Sequence, residues 1–317
     1  MSFDHSRRSF LSHCGVAAAA TTALGTTAHA QPEARPSGKP NFRYCLNTST
    51  IRETKLPLDQ LVELTAKAGY NGIEPWMREI AAYKDAGGNL KDLGKKIADL
   101  GLKVESAIGF ANWIVDDEAQ RKKGLEDAKR DMDLLAQIGG LRIAAPPVGA
   151  QKQEGMNLDA AAERYYDLLQ IGDDTGVLPQ VELWGFSKTL HKLGEVAYVA
   201  IESGHPKACI LTDVYHIYKG GSDFSGLRTL SGTAMHVMHM NDYPSTPPRE
   251  TIGDADRVYP GDGVAPLSQI LQWMNGAGFE GVLSLELFNP DYWKEDPAVV
   301  AKTGLEKMKT AVKAAFA

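Results

Sequence analysis

Cysteine is almost absent: the 317-residue chain has three. Cys14 falls in an N-terminal leader, so Cys45 and Cys209 would be the only thiols of the folded part. One pair cannot frame a core of this size even in an oxidising compartment, so a disulfide scaffold is excluded and two buried free thiols are expected. Basic blocks are lacking too. Thirty-four Lys and Arg stand against 40 Asp and Glu, giving a formal charge of −6. Such a chain has no electrostatic grip on nucleic acid. No run approaches the ~18 apolar residues of a membrane helix, so the mature protein is expected to be free of membrane. No G-x-G-x-x-G follows the first candidate strand, which argues against a dinucleotide fold.

What is present begins with a leader. Ser6-Arg7-Arg8-Ser9-Phe10-Leu11 precedes an Ala-rich stretch to about Ala23, and Ala28-His29-Ala30 supplies small residues for cleavage. The pattern resembles a twin-arginine signal peptide over residues 1–30. It implies the twin-arginine export machinery as a partner and a periplasmic or secreted mature protein. Cys14 precedes the apolar run, which is the wrong side for a lipid anchor. Loss of Asp4, Arg7 and Arg8 removes one net positive charge and moves the total to about −7. Residues 31–41, QPEARPSGKPN, have no periodicity and read as a flexible lead-in.

From Phe42 short apolar runs alternate with helical patterns. Strands are expected at 42–48, 71–75, 102–108, 141–146, 179–184, 207–213, 233–240 and 281–287. Leu90, Leu93, Ile97 and Leu100 recur at helical spacing, as do Leu125, Ala128, Met132 and Leu135, and Leu190, Leu193, Val196 and Ile201. Asn157 is placed to cap a helix. Gly69, Gly101, Gly139 and Gly278 stand where helices should stop. Eight strands alternating with eight helices imply parallel pairing and a closed α/β architecture, a single-domain (β/α)8 TIM barrel over 42–317. An open doubly wound sheet is the alternative.

In such a barrel, chemistry sits at the C-terminal ends of strands. Four consecutive strand ends carry ligand-type side chains: Glu182, Asp213, His239 and Glu286. A lone Glu or His in a strand is more often solvated or hydrogen-bonded in the core. Four together, between helices outside and packed side chains inside, would be costly unless they share a cation. Three carboxylates and one imidazole form a hard donor set that suits Mn²⁺ first, then Mg²⁺ or Co²⁺, with Zn²⁺ left open.

With those residues in view, the chain resembles the xylose-isomerase-like barrel superfamily, which includes ketose 3-epimerases, hydroxypyruvate isomerase and inosose dehydratase. Glu182, Asp213, His239 and Glu286 match its ligand series. Asp213-Val214-Tyr215-His216 matches its D-x-x-H, which implies a substrate contact for His216. Arg257 before Pro260-Gly261-Asp262-Gly263 matches the arginine that contacts a substrate hydroxyl or orients the metal-binding histidine. The epimerases carry a substrate-binding Glu six residues after the first metal Glu; here that position is Lys188. The loop between His239 and Arg257 is also longer and Pro-rich. The resemblance implies one divalent metal and a small carbohydrate substrate, a free sugar or keto-sugar. It implies isomerisation or epimerisation through a metal-stabilised enediolate, with Glu182 and Glu286 as the two catalytic proton carriers. A dehydratase (lyase) acting on a keto-sugar or inosose shares that intermediate. A non-catalytic sugar-binding barrel is a third reading. A nuclease is disfavoured, because its additional ligands and basic groove are missing.

Weaker candidates complete the set. Glu74 ends the second strand and either faces the pocket or forms a salt bridge. Trp113 is one of several aromatics after strand ends that could stack on a sugar, or simply pack. His191 and His205 read as surface residues, and His236 as structural, on the opposite face from His239. Barrels of this kind often pair, and a homo-oligomer is left open.

Overall fold

A computed structural model describes residues 40–317. The expected export signal, and all but the end of the lead-in, lie outside the described residues. Eight strands are formed: β1 Arg43–Asn47, β2 Gly72–Glu74, β3 Lys103–Val104, β4 Arg142–Ala145, β5 Leu178–Glu182, β6 Ile210–Asp213, β7 Met235–His239 and β8 Val282–Leu285. All pair in parallel, in the order β3-β2-β1-β8-β7-β6-β5-β4. The seam between β3 and β4 is closed by irregular backbone: Leu141 N–H donates to Val104 O (3.1 Å), Ala107 N–H to Arg142 O (3.0 Å) and Ala144 N–H to Ala107 O (2.8 Å). The sheet is therefore a closed (β/α)8 barrel, and the open-sheet alternative falls.

Strand side chains alternate between two surroundings, as a period of two requires. Leu46, Ile73, Val181, Leu183, Leu283 and Leu285 join the large core beneath the helices. Cys45, Leu211, Val237 and Val282 form a separate apolar layer in the barrel interior. One step further along the same inner face come Asn47, Asp213, His239 and Ser284, all with no exposed surface. A plug of small apolar residues thus sits under a polar layer, which turns the top of the barrel into the site. Cys45 and Cys209 are buried free thiols, as expected.

Nine α-helices form among the described residues: α1 Leu58–Ala68, α2 Met77–Asp85, α3 Leu90–Asp99, α4 Glu118–Gln137, α5 Leu158–Thr175, α6 Leu193–Glu202, α7 Val214–Gly220, α8 Leu267–Gly276 and α9 Pro297–Ala315. The count exceeds eight because the β2–β3 crossover is split into α2 and α3. The β6–β7 crossover, by contrast, shrinks to two turns of α7 and the 3-10 segment Phe224–Thr229. Leu190 precedes α6 instead of starting it, with φ 52°. Asn157 caps α5 through its side chain, accepting from Asp159 and Ala160 N–H. Gly69 takes φ 94° after α1, a conformation costly to any residue with a Cβ. No helix among the described residues is long and apolar enough to cross a membrane.

Candidate metal centre and active site

Sheet register brings the ligand-type residues together. Asp213 on β6 pairs directly with His239 on β7, and His239 with Ser284 on β8; Asn47 on β1 pairs with Glu74 on β2. Glu286 lies just past the end of β8, and Glu182 ends β5. His239 Nδ1 faces three carboxylates: Glu286 Oε2 at 3.1 Å, Asp213 Oδ2 at 3.5 Å and Glu182 Oε1 at 3.8 Å. Asp213, His239 and Glu286 each offer a ligand atom within 4.8 Å of the others.

The other imidazole nitrogen is fixed from behind. His239 Nε2 lies 3.1 Å from Glu74 Oε2, which also accepts from Ser284 Oγ (2.6 Å) and Asn47 Nδ2 (2.9 Å). Glu74 therefore does not face the pocket. It lies beneath, fully buried, in the salt bridge that was the alternative for it. A carboxylate behind a ligating histidine fixes the tautomer and aims the free nitrogen. That nitrogen, His239 Nδ1, is buried and makes no hydrogen bond of its own.

Such an orphaned nitrogen, facing carboxylates in a layer without solvent, is the arrangement a divalent cation would satisfy. The residues present fit the group. Burial alone would disfavour every one of these charges. Glu182 is pushed well above the usual carboxylate range, first by burial and then by Glu286, Asp213 and Glu74. Burial acts on Asp213 in the same sense, but Arg257 and His216 overcome it and hold Asp213 well below that range. His239 is raised well above the ordinary imidazole value, because Glu286 and Glu74 outweigh the opposing effect of burial.

Arg257 is the protein's own cation at the site and is buried to 1% exposure. Nη1 donates to Asp213 Oδ2 (3.0 Å) and Glu286 Oε2 (2.9 Å); Nη2 donates to Asp254 Oδ1 (2.6 Å) and lies 3.1 Å from His216 Nε2. Its links run to two candidate ligand carboxylates, Asp254 and His216, and none to His239. His216 lines the cavity, with Nδ1 accepting from Gly185 N–H at 3.3 Å. Burial lowers its pKa, so the ring is held toward the neutral form.

A cavity of about 460 Å³ opens above these groups, lined by Glu182, Glu286, His216 and Arg257 below and by an aromatic wall that includes Trp76, Trp184 and Phe288. Trp113 and Lys188 are not part of it. The Trp113 indole is buried against Tyr165 and donates to Pro146 O (2.9 Å), so it packs the shell. Lys188 is exposed and lies 3.5 Å from Glu154. His205 is buried, not on the surface as expected, with Nε2 3.2 Å from Asp173. His191 is half-buried beside Glu195. His236 lies outside the cavity.

An inventory of carboxylates and imidazoles passes over the amides that hold the site. Asn47 Nδ2 also reaches Glu286 Oε1 (3.3 Å), and its Oδ1 accepts from Trp76 Nε1 (3.0 Å). Asn241 donates to both oxygens of Asp213 at 3.3 Å and accepts from Tyr215 N–H. Both stand at or just past strand ends, and that position was the available signal. Asp254 has no such signal, because only the loop's path brings it to Arg257.

Fold and site together define a (β/α)8 barrel with a buried carboxylate–imidazole centre at the C-terminal mouth. The chain belongs to the Xylose isomerase-like TIM barrel family, whose pattern matches residues 62–311. It is 27% identical over 284 residues to an inosose isomerase of Bacillus velezensis, covering 87% of this chain and 99% of that one. It is 23% identical over 260 residues to a 3-dehydroshikimate dehydratase of Pseudomonas putida, spanning 79% of this chain and 39% of that protein. The crystal structure of the IOLI protein with a bound zinc atom superposes with a TM-score of 0.79 at 22% identity, over 87% of this chain and all of the other.

Proposed function

We propose that this protein is a divalent-metal-dependent isomerase or epimerase of a free sugar or keto-polyol. The observation that carries the reading is His239, locked by Glu74 at one nitrogen and presenting the other, unpartnered, to Glu182, Asp213 and Glu286. A cation held by these four would supply Lewis-acid polarisation of a substrate carbonyl. The chain's own groups move the proton. Glu286 is held from two sides by Arg257 Nη1 and Asn47 Nδ2, so its carboxylate has a fixed aim. Glu182 lines the same cavity with no hydrogen bond to any described residue. One takes the proton from the carbon beside the carbonyl; the electron pair moves into the enediolate, and the other glutamate returns a proton to the opposite face. Return to the neighbouring carbon gives an isomer instead. His216 and Arg257 orient substrate hydroxyls, and the aromatic wall covers its C–H face and excludes water.

The likeness to an inosose isomerase supports a keto-polyol as substrate. Manganese is the preferred metal for an oxygen-rich set, and the zinc in a structural relative keeps zinc in the panel. The likeness to a 3-dehydroshikimate dehydratase favours one second reading, in which a β-hydroxyl leaves the same intermediate and water is lost. We further assign export to the leader at Ser6–Leu11, with cleavage after Ala30; amino-terminal sequencing of the protein from its native host tests this, and an intact Met1 in the cytoplasm would refute it.

The deciding experiment is metal analysis of protein purified without chelator, with a deuterium wash-in assay over free ketoses and inososes. One ion per chain and solvent deuterium in substrate or isomer are expected. Water loss would move the assignment to the dehydratase. Protein without metal, and inert when metal is added, would overturn both.

A further inference from the structure

Arg52 is a cation at the mouth of the cavity with no close carboxylate partner. It sits in the 3-10 segment Thr48–Thr54 that continues directly from β1. Its guanidinium carbon lies 4.4 Å from the ring centroid of Trp293 and 5.5 Å from that of Phe288. Trp293 is itself tied to the segment, Nε1 donating to Ser49 O at 3.0 Å. The side chain is thus stacked and oriented before any ligand arrives. Its one ion pair among the described residues is distant, Nε to an exposed Glu53 at 3.9 Å, and neither Nη hydrogen-bonds to a described residue. Burial and the neighbouring Arg78 depress its pKa, and Glu53 and Asp254 only partly oppose them. Phe288 links it to the reaction centre: Arg257 stands over that same ring at 5.0 Å. A second cation therefore waits one aromatic ring away from the first, whose two Nη groups are already engaged by Asp213, Glu286 and Asp254.

We propose that Arg52 binds a carboxylate on the end of the substrate remote from the reacting carbons, so that the natural substrate is a keto-polyol acid. The inference rests on the isomerase or epimerase reading and narrows its substrate class. A planar fork of N–H donors, held by stacking and with neither Nη hydrogen-bonded to a described residue, matches a carboxylate in shape and charge; a neutral hydroxymethyl end would leave it unmatched.

Calorimetric titration of metal-loaded protein tests this without turnover. The probes are gluconate against gluconamide, and a tetrahydroxycyclohexane carboxylate against its carboxamide. The wild type should bind each acid at least about tenfold more tightly than its amide. Arg52→Gln should erase that preference while leaving amide affinity unchanged, and Arg52→Lys should keep part of it. Equal binding of acid and amide, or a preference that survives Arg52→Gln, overturns the proposal. So does tighter binding of a sugar phosphate than of either acid. Deuterium wash-in separates the two failures. Neutral polyols exchanging without an acid preference would remove Arg52's role and leave the isomerase or epimerase intact. No binding of any probe and no wash-in would remove both.

Discussion

His239 shows how much one side chain depends on the residues around it. Its Nε2 belongs to Glu74 and its Nδ1 to the site, so the imidazole is a pivot between a buried structural carboxylate and three functional ones. Glu286→Gln keeps the volume and the Asn47 contact but removes the base. It should cut turnover by roughly 10²–10⁴-fold with little change in melting temperature. Retained activity in a steady-state assay would strip Glu286 of its proposed role. His236, three positions away on the outer side of β7, makes a different prediction. Burial, helped by Arg142, depresses its pKa from 6.5 to about 4. The unfolded chain then binds the proton more readily, so stability is full above about pH 6.5 and declines as the pH falls toward 4. Denaturant titrations across that window should show the slope, and His236→Gln should flatten it; His216, also depressed, keeps part of it. An unchanged slope in the variant would show that His236 does not titrate there.

At the scale of elements, the segment after β7 is organised by a carboxylate the sequence reading did not single out. Asp242 accepts backbone N–H from Tyr243 (2.8 Å), Gly261 (2.9 Å), Gly263 (3.2 Å) and Ala265 (2.9 Å), and so pins the Pro260-Gly261-Asp262-Gly263 turn just beyond Arg257. Gly263 leaves no room for a side chain, because a Cβ there would stand 2.3 Å from Asp242 Oδ1 and from Tyr243 O. Gly263→Ala should therefore displace the turn, cost about 1–3 kcal/mol of stability and raise KM through a misplaced Arg257. Thermal melts and kinetics check both, and a variant that behaves as wild type would mean the turn yields freely. The strands were legible because apolar runs alternated with helical periods. Their ends were not: the expected third strand, 102–108, shrinks to Lys103–Val104, since backbone beyond it bends to meet β4. Glu182, Asp213, His239 and Glu286 could be read because strand-end position and donor chemistry coincide in them. Arg52 and Asp254 could not, because their roles come from contacts that no spacing encodes.

For the whole molecule, the bound cation and the fold should be coupled. The centre gathers Glu182, Asp213, Glu286 and Glu74 around one imidazole and one guanidinium. A cation bound at 1,000 times its Kd would add about 4 kcal/mol, a rise of roughly 8–15 °C in Tm. Chelator should reverse the rise in a calorimetric scan, and an unchanged Tm would show that no metal resides in the folded protein. Because ligands must be deprotonated, and burial with the neighbouring carboxylates raises the Glu182 pKa, binding should also release protons and tighten as the pH rises.

The irregular junction between β3 and β4 bears on where the barrel breathes. Its three backbone hydrogen bonds lie outside the regular ladders, while Asp213, His239 and Ser284 pair directly within the ladders on the other side of the ring. Amide protons of Ala107, Leu141 and Ala144 should therefore exchange with solvent well before those of β7. Early exchange there would mark the side of the barrel on which the cavity can widen without disturbing the carboxylate–imidazole cluster.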